Sequence, residues 1–157
     1  MKSQKILFDI EDDDEEITLG LVRLAKEVPP HELFYQLNAL NPFKFSRIAD
    51  VVYNGIYYDY YFPRFEGFHA DSKVCIQFIA NKSSQNVQKK VPTELFSAEQ
   101  ENKFLLDHFQ DVDYLLKTSE PFADFSLILL PENLMFQIQS FPLSPIEELY
   151  QIIQYYE

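Results

Sequence analysis

The chain has 157 residues, with 25 Asp and Glu against 13 Lys and Arg, a formal charge of −12 at neutral pH, and an aromatic complement of 15 Phe and 10 Tyr. That length suits one domain, able to withdraw roughly 68–70% of its unfolded surface from water without a disulfide or metal staple. A 46% hydrophobic content excludes global disorder, and the acidic balance, with its few cations scattered, excludes a sequence-independent binder of phosphate backbones.

Lys5 to Ile10 alternates, with Ile6, Phe8 and Ile10 on one face, which predicts a half-buried strand. The acidic run Glu11 to Glu16 interrupts it. Ile17 to Ala25 fits two periods: Ile17, Leu19 and Leu21 alternate, while Ile17, Leu21, Leu24 and Ala25 match a helical stripe. Gly20 weakens the helix and favours a strand. Beyond the break at Pro29-Pro30, Leu33, Phe34, Leu37 and Leu40 form the apolar stripe of a helix over about 31–40, stopped by Asn41-Pro42.

Ile48 to Tyr53 is rich in β-branched residues and reads as a strand. Asn54-Gly55 is the strongest short hairpin signal, and Ile56 to Phe62 returns with Ile56, Tyr58, Tyr60 and Phe62 on one face. Pro63 to Ser72 reads as a loop, Lys73 to Ala80 as a strand with Val74, Ile76 and Phe78 facing one way, and Asn81 to Thr93 as a long polar loop. Ser97 with Gln100 is a capping-box signature for a short helix, after which Val112 to Lys117 resumes strand character. Phe125 to Leu130 and Leu134 to Phe141 read as strands flanking a reverse turn at Pro131-Glu132-Asn133. The last helix, about 145–156, carries the clearest signals: Ser144 as cap, Pro145 at the first position, Glu147 completing a capping box, and Ile146, Leu149, Tyr150, Ile153 and Tyr156 on one face.

Runs of strands with two main helices predict an α+β fold, a largely antiparallel sheet in a single domain over 1–157. With three glycines, Asn, Asp and Pro must supply most turn chemistry. The one cysteine, Cys75, permits no internal disulfide, which suits a reducing compartment. No apolar stretch approaches the ~20 residues of a membrane span. Lys2 and Lys5 precede only Ile6-Leu7-Phe8 before the acids begin, too little for the core of a secretory signal. The expected location is cytoplasmic, with neither membrane nor nucleic acid as partner.

Candidate chemistry is sparse. Asp9 to Glu16 holds seven carboxylates in eight positions, but Asp14 stands where a calcium loop needs Gly and Gly20 where it needs the bidentate Glu, so the run reads as a solvated connection. His31, His69 and His108 lie 38 and 39 residues apart and lack a metal-ligand spacing. Cys75, between Val74 and Ile76, reads as a buried apolar thiol. Asp111 and Asp113 would share a strand face as a carboxylate pair. The run Tyr57-Tyr58-Asp59-Tyr60-Tyr61-Phe62 lacks the cationic groove of a stacking platform and reads as core on one face and protein contact on the other. No metal, cofactor or catalytic constellation is implied.

At Val112-Asp113-Tyr114 the chain resembles the IPExxxVDY family, uncharacterised proteins found chiefly in the Bacteroidetes. Other stretches agree in order: Phe8-Asp9-Ile10, the helix ending Leu37-Asn38, Phe45-Ser46-Arg47 with Asp50, the aromatic strand Tyr57 to Phe62, Ile79-Ala80-Asn81-Lys82-Ser83 and Leu95-Phe96, together covering roughly residues 5–117. Leu106-Asp107-His108 stands where that family has Ile-Pro-Glu, and residues 118–157 match poorly. The resemblance implies a bacterial cytoplasmic protein and assigns no reaction. On a strand, Val112 and Tyr114 would share the buried face and Asp113 would point away with Leu115, a structural role for the motif.

The leading functional expectation is a non-catalytic interaction module whose aromatic, acidic surface binds another protein or its own copy. The alternative is a small enzyme or ligand-binding domain using carboxylates such as Asp111 and Asp113 in a sheet-lined pocket.

Overall fold

In the computed structural model the described residues are 17–69, 73–89, 102–118, 125, 128–131, 133–144 and 147–155. The strand at Lys5–Ile10, the acidic run and the helix start at Ser97 lie outside them. In chain order the elements are β1 (Ile17–Val22), α1 (Pro30–Leu40), β2 (Ser46–Asn54), β3 (Tyr58–His69), β4 (Val74–Ala80), β5 (Ser84–Gln88), β6 (Tyr114–Thr118), β7 (Gln139–Leu143) and α2 (Glu148–Tyr155). The strands form one seven-stranded sheet in the order β2-β3-β4-β6-β1-β7, with β5 beside the first half of β3, and every pairing is antiparallel. The fold is α+β.

In the inner strands β1, β3, β4 and β6, alternation sends the two sides into two different cores. On one face, Val22, Val74, Ile76, Phe78, Tyr114 and Leu116 pack with Leu33, Phe34 and Leu37 of α1. On the other, Leu19, Leu21, Phe62, Ile79, Leu115 and Leu143 pack with Leu149, Tyr150 and Ile153 of α2. The ambiguity at residues 17–25 is thereby explained: a strand buried on both faces is apolar without interruption, so its period is obscured. The α1 face carries an aromatic nest in which Phe34 stacks on Phe65 at 4.0 Å between ring centroids and meets Phe78 and Tyr114 edge-on. Fully burying each such ring is worth roughly 1.5–3 kcal/mol. Leu40 departs from the expected stripe and is exposed.

The hairpin between β2 and β3 is not a two-residue turn. Asn54 pairs with Asp59, leaving a four-residue loop closed by the Gly55 N–H on the Tyr58 carbonyl at 2.8 Å. Gly55 does not adopt a positive φ, which a type I′ turn requires, so Ile56 falls in the loop and is exposed rather than on the core face. Pro63 to His69, expected as loop, continues β3. The register with β2 slips between Ile48 and Val51, so Pro63 falls beside a bulge where no ladder donor is needed. The bulge leaves the Ala49 carbonyl to accept from Nε of buried Arg64 at 2.8 Å. Inside the expected 81–93 loop, Ser84–Gln88 forms β5 by pairing with Tyr58–Tyr61. Conversely, the described parts of Phe125–Leu130 and Leu134–Ile138 hold no strand, and β7 begins at Gln139. The turn between them forms as expected, Leu134 N–H on Pro131 carbonyl at 3.0 Å. The helix expected from residue 145 runs from Glu148, with Glu147 N–H on the Ser144 carbonyl at 3.1 Å just before it.

Glycine serves here for close approach. A Cβ on Gly20 in β1 would stand 2.7 Å from Ile138 Cγ2 and 3.1 Å from both Leu116 Cβ and Phe125 Cε1. Gly20→Ala therefore overpacks the sheet face, and urea denaturation should show a loss of about 1–3 kcal/mol. An unchanged midpoint would contradict the packing described.

Candidate functional site

Residues 103–113, leading into β6, hold no helix or strand, so their backbone groups need partners from elsewhere. One asparagine answers five of these groups. Asn81, fully buried just after β4, donates from Nδ2 to the carbonyls of Phe109 and Val112, both at 3.0 Å, and accepts the Leu106 N–H on Oδ1 at 2.8 Å. Its backbone N–H donates to the Asp113 carbonyl at 3.0 Å and its carbonyl accepts the Leu105 N–H at 2.9 Å. Ser83 extends the clasp, its Oγ accepting the Lys103 N–H at 2.9 Å.

The clasp brings Val112-Asp113-Tyr114 to the place where β1 and β4 end and β6 begins. Asp113 carries the β1–β6 pairing one step past its last ladder partner: its N–H donates to the Val22 carbonyl at 2.8 Å and its carboxylate accepts the Leu24 N–H at 2.7 Å. Arg23 turns the other way, donating from Nε to Asp111 at 2.7 Å and from Nη1 to Gln139 at 2.9 Å. The expectation that Val112 and Tyr114 share a face is overturned. Val112 lies in the α2-face core and Tyr114 in the α1-face core, because regular strand geometry starts only at Tyr114. Leu115, expected to point away with Asp113, is fully buried in the second core.

Asp111 and Asp113 have different partners, Arg23 for the first and the Leu24 N–H for the second. The Arg23 hydrogen bond holds the Asp111 carboxyl below its ordinary value. Burial pushes the Asp113 carboxyl up; the Leu24 N–H partly opposes this, and the charges of Asp111 and Glu27 add to it. Burial also raises the Tyr114 phenol to about 12, with the charge of Asp113 adding to it.

Asp113 and Tyr114 help line an open cleft of about 460 Å³ with Leu24, Lys26, Glu27, Val28, Ala80 and Lys82. A second opening, about 330 Å³, holds Asp107, His108, Glu147 and Glu148 around Phe109 and Phe141. A third, about 570 Å³, runs along the outer side of α1 between Tyr35, Gln36, Ala39 and Leu40 and the segment Leu129 to Pro131 with Asn133, with no charged residue among its described lining. Here again an asparagine sets the backbone: Asn41, buried at the end of α1, donates from Nδ2 to the Leu37 and Leu129 carbonyls, both at 2.9 Å, and accepts the Leu129 N–H at 2.7 Å. Sequence reading missed both asparagines as organisers; their one signal was the scarcity of glycine.

The remaining candidates disperse. His31 is exposed at the start of α1, His69 ends β3 and His108 is exposed in the second opening. Cys75 is half-buried, and burial, with a hydrogen bond to Glu66, pushes its thiol up to about 11, the opposite of an activated nucleophile. Among the described residues no group of three or more His, Cys, Asp or Glu is placed to hold a metal ion, and no helix is long and apolar enough to cross a membrane. Tyr57 to Phe62 forms no exposed platform: Tyr60 and Phe62 are buried and Tyr57, Tyr58 and Tyr61 half-buried. The exposed large apolar side chains are elsewhere, among them Tyr35, Leu40, Phe68, Leu129, Phe136 and Tyr155. The chain matches no family model, no curated protein and no solved structure at a significant level.

Two outcomes follow from the clasp. Asn81→Ala strands three backbone groups at roughly 1–3 kcal/mol each when unsatisfied, so chemical denaturation should show a loss of at least about 3 kcal/mol. Asp113→Asn keeps an acceptor for the Leu24 N–H and removes a charge that the fold disfavours. Because the folded carboxyl titrates above its ordinary value of 3.8, the wild type is penalised above that folded pKa and relieved as pH falls through it. Asp113→Asn should therefore melt higher than wild type at pH 7, with the difference closing toward pH 3; a lower Tm at pH 7 would refute this.

Proposed function

We propose that the protein is a non-catalytic interaction module that docks a short polypeptide segment along the outer side of α1. The observation that carries this reading is Leu129: 57% exposed, yet on a backbone clamped from both its N–H and its carbonyl by Asn41. With Tyr35 at 74% and Leu40 at 45% exposure, it borders a groove whose described lining carries no charge and is set before any partner arrives. Such preorganisation favours recognition of apolar anchors over incidental exposure. A chain charge of −12 opposes a second copy on this face and favours a partner with Lys or Arg beside two or three apolar side chains. The titratable groups singled out from the sequence also serve the fold, Asp111 through Arg23 and Asp113 through Leu24. Kinship with the IPExxxVDY family, and the bacterial cytoplasmic setting it implies, belong to the same proposal and rest on the motifs within residues 5–117.

Panning a display library of random 16-residue peptides against the folded chain tests the reading. Enriched sequences should combine spaced apolar residues with basic neighbours and lose binding to Leu129→Asp and Tyr35→Ser, whose melting temperatures should stay near wild type. Absence of enrichment, enrichment indifferent to both substitutions, or a concentration-dependent dimer through this groove would overturn it.

A further inference from the structure

The cleft at the ends of β1 and β4 goes beyond the peptide groove, sharing none of its described lining residues. Its volume, about 460 Å³, falls within the roughly 300–1,000 Å³ of small-molecule sites. Its lining holds both signs of charge beside apolar side chains. Leu24, Val28, Ala80 and Tyr114 are its apolar and aromatic members, Lys26 and Lys82 its cations, Glu27 and Asp113 its anions.

These charges are not consumed by one another. The ion pairs among the described residues are Arg23–Asp111, Arg47–Asp50 and Lys89–Asp59, and none uses Lys26, Glu27, Lys82 or Asp113. The Asp113 carboxylate accepts one backbone N–H and has further acceptor positions, since an ionised carboxylate offers about four. The charges acting on it are the carboxylates Asp111 and Glu27, so the anionic side repels itself and is relieved by an incoming cation. The backbone around the cleft is fixed: Leu24 is held to Asp113, Asp113 to Val22, and the residue after Ala80 is the Asn81 clasp. A ligand able to use all of this carries an anion and a cation a short distance apart, with a modest apolar body between the walls.

We propose that this cleft binds an aliphatic α-amino acid, its carboxylate toward Lys26 and Lys82, its ammonium toward Asp113 and Glu27, and its side chain over Leu24, Val28 and Ala80. The lysines recognise one end, the carboxylates the other, and a ligand with only one charge leaves half of the site unanswered.

Calorimetric titration of the full chain at low salt and pH 7, with L-leucine, isovalerate and isoamylamine as probes, tests this. Leucine should bind in the millimolar range or tighter and about ten-fold better than either singly charged analogue. Amide shifts in NMR should concentrate at residues 24–28, 80–82 and 113–114. Lys82→Ala should weaken leucine and isovalerate but spare isoamylamine, Asp113→Asn should weaken leucine and isoamylamine but spare isovalerate, and Leu129→Asp should leave all three unchanged. No heat or shift at about 50 mM leucine, equal affinity for the three probes, or leucine binding that ignores Lys82→Ala and Asp113→Asn but falls with Leu129→Asp would overturn it. The peptide groove and this cleft thus fail separately.

Discussion

The burial of β1, β4 and β6 on both faces is the constraint from which the other features follow. A sheet covered on one side needs one helix and can leave its outer residues polar. This one has α1 over one face and α2 over the other, so Leu19 and Leu21 point into one core while Val22 points into the other. Two cores need twice the apolar side chains of one. The aromatic content, more than a single core requires, is largely absorbed by them, with Phe34, Phe45, Phe65, Phe78 and Tyr114 nested on the α1 face and Tyr58, Tyr60 and Phe62 on the α2 face.

A doubly covered sheet also demands that the chain enter and leave it without burying unpaired backbone. Here short amide side chains take the place of strand neighbours. Asn81 answers three backbone groups of the 103–113 connection, Asn41 ties Leu129 to the end of α1, and Asn38 pairs with both the N–H and the carbonyl of Phe45 at 2.6 and 3.1 Å. Each reaches a carbonyl and an N–H at once, as a paired strand residue does, without requiring left-handed backbone. Glycine is left to a different role, since Gly20 and Gly67 lie where neighbouring side chains leave no room for a Cβ. The one left-handed φ among the described residues belongs to Lys73, immediately before β4.

The same clamps shape the surface. Fixing Leu129 outward makes an apolar groove; fixing Asp113 between Leu24 and Asn81 makes a cleft with both signs of charge. Neither feature belongs to a continuous motif. Residues 24–28, 80–82 and 113–114 meet only because β1, β4 and β6 are neighbours in the sheet. The carboxylates that lie two apart in the sequence, Asp111 and Asp113, take different hydrogen-bond partners, one Arg23 and the other the Leu24 backbone.

Local chemistry alone determined the α+β class, α1 between Pro29-Pro30 and Asn41-Pro42, the body of α2, the turn at Pro131 and the strand character of residues 17–22, 48–53, 74–80 and 114–117. In each, periodicity and breakers act within a few residues and tertiary packing agrees with them. What depended on partners far along the chain only the tertiary structure decided. Pro63 stays in a strand because a bulge in β2 stands opposite it, Ser84–Gln88 becomes a strand because β3 offers an edge, and Leu134–Ile138 does not form one despite its pattern. Val112 and Tyr114 part to opposite cores because Asn81, some thirty residues earlier, sets the backbone between them. Hydrogen bonds across such separations leave no period in the sequence, so the clasp, the groove and the cleft became visible only in three dimensions.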